Sequence, residues 1–337
     1  MTAATYDLGT LHGGLRLDPN KADSTAVGLA RMPVPAQLAL PLDQHVGVPA
    51  EPVVEIGEEV LKGQLLAKHD AGLGAPVHAS TSGRVVAIEP WPVASRLGDT
   101  APCIIIESDG RDAAIAVADR DSGAASQGRA GLTARILEGG IVGLGGAVFP
   151  TAQKIIQAHS VELDMLILNG VECEPWISCD DMLMRERAEA IIGGAQHLLA
   201  ALGANACYIA VESDKPAALA ALGEALGRAD DQRLVLKEVP TIYPSGAEDQ
   251  LVQLVTNREV PTGGLPTDVG CVVQNVGTAA AVYDWIERFE PLVSRITTVT
   301  GPGVRQPMNV IVPLGSSGGN FGQLFLGWGL SQRPWPP

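Results

Sequence analysis

The sequence predicts an α/β chain in three parts: a small N-terminal β module, a central doubly wound and mostly parallel sheet, and a small β module at the end. Three observations carry this. Glycines at hairpin-like spacing (Gly57, Gly63, Gly74, Gly83) punctuate short apolar runs in the first third. From Leu132 onward, apolar runs of strand length alternate with helical patterns, the signature of repeated βα units. Aromatics are only 4% of the 337 residues while hydrophobic residues reach 46%. That mix suits α/β layers, and the length suits two or three domains.

Residues 1–40 read as an extended arm, with Pro and Gly breakers and little helical pattern. Residues 41–110 form the first module. Within it, "IGEEVLKGQLLA" is followed by "PVHASTSGRVVAI", two halves joined by "AKHDAGLGA". The pattern resembles the barrel-sandwich fold of lipoyl and biotinyl domains. Their carrier lysine sits in the joining turn. Lys68 lies nearby with different neighbours, so the module reads as structural, without a covalent cofactor. "CIIIES" (103–108) reads as a buried strand. A linker covers 111–130, where "DRDSGAASQGRAG" is polar and Gly/Ser-rich.

Residues 131–294 make the central domain. "LTARILEGG" is a helix ending on glycine, and "LDMLILNG" (163–170) a short strand. "DMLMRERAEAIIGGAQHLLAALG" (181–203) reads as one long amphipathic helix. "ACYIAVE" (206–212) and "RLVLKEVP" are strands, separated by a helix with Pro216 in its first turn. "GAEDQLVQLVTN" is a helix, and "GCVVQNVGTAAAVYDWI" a strand running into another. Residues 295–337 open on strand patterns, in "ITTVTGPGVRQPMNVIVPLG", and end in a tail of different texture.

The bulk numbers exclude several functions. A net charge of −15 disfavours nucleic acid and anionic membrane surfaces. No apolar run is long enough to span a membrane, and "MTAATYDLGTLHGG" lacks the features of a signal peptide, so a cytoplasmic protein is expected. Five cysteines without a CxxC pair argue against a disulfide framework and a simple cysteine metal site. Six scattered histidines form no HxxxH or HExxH pair, so no metal ligands are assigned.

Four loops hold the candidate chemistry. "GIVGLGGAVFPTAQK" (140–154) places Gly140, Gly143, Gly145 and Gly146 before a helix. Either the backbone turns tightly there, or bare N–H groups face a phosphate or a flat ring, with Lys154 adding a point charge. "LILNGVECEPWISCDD" crowds Glu172, Glu174, Asp180 and Asp181 behind a strand ending at Asn169. Such a cluster is a solvated loop, a reader of ribose hydroxyls, or a cation site. In "YPSGAEDQL", Gly246 and Glu248 precede a helix; in "VVQNVGTAAAV", Gln274 and Asn275 leave a strand and Thr278 opens a helix. Each is either a cap or a ligand contact.

With "CDDMLMRE" and "REVPTGGLPTDVG", these loops occur in an order that resembles the RnfC family, a component of the Rnf ion-translocating electron transport complex. More distantly they resemble the flavin-carrying NADH dehydrogenase component of respiratory complex I. The resemblance covers residues 40 to 313. It implies a Rossmann-like sheet with an FMN site and a β-grasp-like, SLBB-type final module. It implies FMN as cofactor and NADH as substrate, with hydride chemistry on the flavin and no catalytic side chain. Gly143, Gly145, Gly146 and Lys154 would line FMN, Asn169 and Glu172 would touch its ribityl chain or ring, and Gln274, Asn275 and Thr278 would hold its phosphate end. Phe149, Glu174, Gly246 and Glu248 would border NADH, Phe149 by stacking; Glu174 near a ribose disfavours a 2′-phosphate.

The same resemblance implies a peripheral protein on the cytoplasmic side of the bacterial inner membrane. Membrane-embedded subunits would hold it, and electrons would pass indirectly to or from ferredoxin or another carrier. Three departures stand out. Val148 replaces the third glycine of GGAGFPT, and "GGLRLDPNK" stands where a Gly-Gly-x-His-Pro-Pro pattern is usual. The two CxxCxxCxxxCP motifs that hold [4Fe-4S] clusters in complete members are absent, which suggests a truncated product or shortened paralogue. Two readings compete: a flavin-dependent cobalamin reductase of the same superfamily, and a docking module whose flavin site Val148 has disabled.

Overall fold

The structure, a computed structural model, describes residues 13–70, 72–93, 99–116 and 128–319. Most of the expected linker and the tail from residue 320 therefore lie outside the described residues. The first module contains β2 (Gln37–Pro41), β3 (Glu51–Pro52), β4 (Glu59–Val60), β5 (Leu65–Lys68), β6 (Val77–His78), β7 (Gly83–Pro92) and β8 (Thr100–Ser108). They make two facing sheets, ordered β2-β8-β7-β4 and β3-β5-β6, with every pairing antiparallel. Leu40, Leu66, Val85, Ile104 and Ile106 fill the space between them. The expected strand "CIIIES" is the inner end of β8. Lys68 closes β5, exposed and paired with Asp70.

The central domain runs α1 (Gly128–Glu138), α2 (Thr151–Ala158), β9 (Met165–Gly170), α3 (Cys179–Glu186), α4 (Ala188–Leu202), β10 (Ala206–Glu212), α5 (Pro216–Ala229), β11 (Leu234–Val239), α6 (Glu248–Thr256), β12 (Cys271–Asn275) and α7 (Val276–Arg288). Its four strands are all parallel, in the order β11-β10-β9-β12. Alternate side chains face opposite cores, as the strand period requires. Leu166 and Leu168 join the larger core with α4, α5 and α7, whereas Ile167 joins a second core with Leu251, Val252 and Leu254 of α6. Burial on both faces explains why these strands read as continuous apolar runs. The chain winds outward from β9 to β11, then returns to β9's other side as β12. That reversal creates a crevice at the strands' carboxyl ends.

The single helix expected over 181–203 is two helices. Arg187 breaks it, with φ −135° and ψ 35°. Its guanidinium makes two bonds to Asp284 of α7, at 2.9 and 2.6 Å. A fixed bidentate clamp of this kind holds the break in place.

The last sheet contains β13 (Ser294–Val299), antiparallel to β14 (Met308–Pro313). Its third strand is β1 (Ala30–Arg31), which lies parallel to β14 with Ala30 opposite Val310. The expected arm over 1–40 is thus divided. Residues 30–31 complete the final sheet and 37–41 an edge of the barrel-sandwich, leaving 13–29 as the arm proper. Backbone pairing decides this, and two-residue strands carry too little pattern to be read in sequence.

Candidate functional site

The crevice between β9 and β12 is built by two asparagines. Asn169 and Asn275 are register partners at the carboxyl ends of those strands. Asn169 accepts from the Val171 N–H at 3.1 Å and donates to the Gly246 carbonyl at 2.9 Å. Asn275 caps α7 by accepting from the Gly277 N–H at 2.7 Å, and donates to Asp180 at 2.6 Å. Two side chains thereby tie together the loops that carry Glu172, Asp180 and Gly246.

The glycine loop closes over this crevice. Val142 and Pro150 form an antiparallel bridge, and the Gly143 N–H donates to the Phe149 carbonyl at 2.8 Å. Thr278, fully buried, accepts from the Leu144 N–H at 3.0 Å, and Arg295 donates to the Leu144 carbonyl at 2.6 Å. Thr278, expected at a phosphate, thus spends its hydroxyl on the loop backbone from behind. Gly145 and Gly146 stand exposed at the tip. Gly146 has φ +107° and nothing within 4 Å of where a side chain would start. That open space leaves the backbone at the tip uncovered. Gly140 differs: a Cβ there would lie 2.5 Å from the Pro76 carbonyl of the barrel-sandwich, so it serves the contact between modules.

Val148 adopts φ 50°, a left-handed conformation that branched residues avoid. Its carbonyl accepts from the Val46 N–H at 3.1 Å. The barrel-sandwich therefore helps hold a strained residue, at a local cost on the order of 1–3 kcal/mol.

Lys154, on α2, reaches under the loop. Its ammonium donates to Glu248 at 2.7 Å and to the Val273 carbonyl at 2.8 Å. Beside Val273, Gln274 is 5% exposed, and its amide nitrogen has no hydrogen-bond partner. The Thr151 hydroxyl, where the glycine loop enters α2, is also buried and unpartnered. Buried polar groups rarely stay unpaired; atoms of His45, His69, His78, Asp112 and Thr300 share this state, and of the set Gln274 and Thr151 are the two on the crevice's own segments. Phe149 is half-buried on the loop, and Glu174 is exposed in the β9–α3 loop.

Charge concentrates in that second loop. Glu172 is 8% exposed with φ 49°. Its carboxylate accepts from the Asp180 N–H at 2.8 Å and the Asp181 N–H at 3.4 Å, at the start of α3. Lys21 of the arm pairs with it at 3.5 Å and also donates to the Glu172 carbonyl. Burial, then the neighbouring Asp180, push the Glu172 carboxyl up to about 7, against the opposing pull of Lys21. Burial also raises Asp180, although its bond to Asn275 and the charges of Arg295 and Lys21 oppose the rise. The Cys179 thiol is pushed far up, chiefly by burial.

Glu172, Cys179 and Asp180 bring ligand atoms within 4.8 Å of one another. They make a poor cation site: Glu172 is already bonded to two N–H groups and an ammonium, and burial disfavours the Cys179 thiolate. Next to them lies a buried ion pair, Lys215 with Glu212 at 2.9 Å, each 1% exposed. Ser245 donates to Glu212 at 3.2 Å, joining this pair to the Gly246 loop.

The structure ties Lys154 to Glu248, Asn169 to Gly246 and Asn275 to Asp180, and sets Gly145 against Asn275. It adds Lys21, Glu212, Lys215 and Arg295, which the sequence did not mark. The glutamate ending the apolar strand "ACYIAVE" was a signal for Glu212. Lys21 had none, because it stands on a segment without periodicity.

A family model described as the Nuo51 FMN-binding domain matches residues 136–284, and one described as the RnfC barrel sandwich hybrid domain matches residues 9–111. The chain is similar to the RnfC-type component of the ion-translocating oxidoreductase complex of Pseudomonas aeruginosa, 46% identical over 90% of this chain and 39% of that protein. It is 37% identical to the corresponding component of the proton-translocating ferredoxin:NAD(+) oxidoreductase complex of Clostridium ljungdahlii, over 92% of this chain and 67% of that one. It is equally identical to that of the Na(+)-translocating ferredoxin:NAD(+) oxidoreductase complex of Acetobacterium woodii, over 91% and 68%. The chain thus spans well under half of the first relative and about two thirds of the other two. Among solved structures, an NAD+-reducing [NiFe]-hydrogenase is similar over 56% of this chain and 37% of that one, with a TM-score of 0.48 and 23% identity.

Proposed function

The chain belongs to the RnfC family of ion-translocating oxidoreductase complexes, and from that premise we propose that it is the electron-input subunit of such a complex, binding FMN and NADH. The observation that carries this is the arrangement at the carboxyl ends of β9 and β12, where the winding of the chain reverses. There the bare backbone at Gly145 stands against Asn275, and the Lys154 ammonium bonds Glu248 and the Val273 carbonyl next in sequence to the buried, unpartnered Gln274 amide.

Bound FMN supplies a hydride acceptor that releases electrons singly. The chain's own residues bind, orient and shield. Gly145 and Gly146 let the backbone approach the flavin, with Gly143 anchoring the loop through Phe149. Lys154 uses two of its three donors on Glu248 and Val273, leaving one for the ligand. Asn169 and Glu172 would border the ribityl chain or ring. Gln274 would hold the far end; Asn275, expected there too, has both amide donors engaged by Asp180 and the Asn169 carbonyl and so fixes the loops with Thr278. Phe149 offers a face to the nicotinamide, while Glu174, Gly246 and Glu248 border the nucleotide; Glu174 near a ribose favours NADH over NADPH.

Partners follow from the relatives' names: further subunits of a membrane complex, and ferredoxin or another carrier at one remove. No helix among the described residues is long and apolar enough to cross a membrane, which fits a peripheral protein held at the cytoplasmic face. Cys103, Cys207 and Cys271 are buried in β8, β10 and β12, and Cys173 and Cys179 lie partly buried in and just after the β9–α3 loop.

The test is to add FMN to the purified chain, desalt it, and record the visible spectrum before and after anaerobic NADH. Retained flavin that bleaches supports the reading; retained flavin that does not bleach removes the NADH half. If no flavin is retained by the wild type or by Val148→Gly, the flavin reading fails and a docking role is left.

A further inference from the structure

The arm proper runs along the carboxyl end of the central sheet and is bonded to the loop after β9, to Tyr243 after β11 and to β14. Leu15 and Tyr243 exchange backbone bonds at 2.7 and 2.8 Å, and the Pro19 carbonyl accepts from the Trp176 N–H at 2.8 Å. The Ser24 and Ser178 hydroxyls meet at 2.7 Å, and Asn309 of β14 donates to the Ser24 carbonyl and to the Ser178 hydroxyl, both at 2.9 Å. Between these ties stands Lys21, 8% exposed. A surface segment that buries a lysine ammonium against one acidic residue is using it for position, because an unpaired buried ammonium is costly.

We propose that Lys21 is a positioning residue of the crevice: delivered by the arm, its ammonium holds the Glu172 carboxylate against the N-terminus of α3 and so fixes the acidic wall. This rests on the flavin reading above and extends it to a segment far in sequence from any crevice loop. The partners are complementary. Glu172 accepts from the Asp180 and Asp181 N–H groups, which carry the positive end of the α3 dipole. Lys21 adds charge on the other side and clamps the backbone through the Glu172 carbonyl. The other ionisable groups facing Glu172 are Asp180 and Cys179 of α3 and Lys215 at the start of α5. Asp180 disfavours the ionised carboxylate, whereas Lys21 and Lys215 favour it.

The experiment measures FMN affinity against pH by flavin fluorescence quenching in wild type, Lys21→Met, Glu172→Gln and the double variant. Removing the ammonium moves the Glu172 midpoint upward by about one unit, the scale of one close opposite charge. The wall is set for flavin only with Glu172 ionised, so well below both midpoints this reads as about tenfold weaker flavin binding in Lys21→Met. Glu172→Gln flattens the profile, and adding Lys21→Met to it then moves nothing further. A Lys21→Met profile superimposable on wild type, or an equal shift in the Glu172→Gln background, overturns the proposal.

A flavin-free readout separates its failure from failure of the flavin reading. Trypsin cleavage after Arg16 and Lys21 is followed in the full chain without FMN. Glu172→Gln is expected to release the arm and speed cleavage at both sites severalfold relative to wild type. Unchanged cleavage rates overturn the proposal even where FMN binds, and accelerated cleavage upholds the clasp even where it does not. This assay also stands if Lys21→Met does not fold.

Discussion

The crevice has two walls made by opposite means. The glycine loop is a wall of backbone: it recognises by what it lacks, and it is held from outside by Thr278, Arg295 and Val46. The wall facing it, from Glu172 to Asp181, is made of buried charge, stabilised by Lys21 and bordered by the Lys215–Glu212 pair. A backbone wall tolerates loss of any one side chain but not addition of one. A charged wall fails in the reverse way, because removing one partner strands another.

The sharpest way to break that contrast is Lys215→Met. It leaves Glu212 buried without its cation, and unfolding stability is expected to fall by about 3–5 kcal/mol. A urea midpoint within error of wild type would show that this wall is not held by charge. Next comes pH. The folded-state value of Glu172 is raised from 4.5 to about 7, so between those values the native protein binds more protons than the unfolded chain. Its contribution therefore declines as pH rises through that window, on the order of a few kcal/mol in all. Glu172→Gln should flatten this slope, read as urea midpoints at the two ends of the window.

The backbone wall is probed by addition. Gly140→Ala puts a Cβ against the Pro76 carbonyl in a left-handed conformation and is expected to cost about 1–3 kcal/mol. Gly146→Ala has the backbone penalty without the overlap, about 1 kcal/mol, yet should lose more flavin. Comparing thermal unfolding with FMN retention for the two separates the glycine that joins modules from the one that faces ligand. The smallest effect belongs to Val148→Gly. Relieving φ 50° is expected to stabilise the protein by about 1 kcal/mol and to tighten FMN. A destabilised variant would mean that the valine's packing outweighs its strain.

The two walls also differ in how well the sequence displays them. Clustered glycines and an acid-rich loop after an apolar strand are local patterns, and they mark Gly145, Gly146, Asn169 and Glu172 directly. The βα alternation marks the four parallel strands. What was not legible depends on distant pairing. Lys21 meets Glu172 across 151 positions, β1 meets β14 across most of the described chain, and the break at Arg187 is held by Asp284. Nothing within a few residues of Lys21, Ala30 or Arg187 encodes these partners.

The pairing of β1 with β14 bears on how the protein comes to exist. β1 leaves the ribosome early, with no strand to lie beside until Val310 and Ile311 have been made. The arm before it waits for Glu172 and Tyr243. The barrel-sandwich contains β2 to β8 and closes on local contacts, but the segment preceding it stays unplaced through most of synthesis. Such late, long-range closure slows the final step of folding and leaves an exposed strand edge at Val310 open to the wrong partner. Biogenesis, then, is completed by a segment made early and seated late.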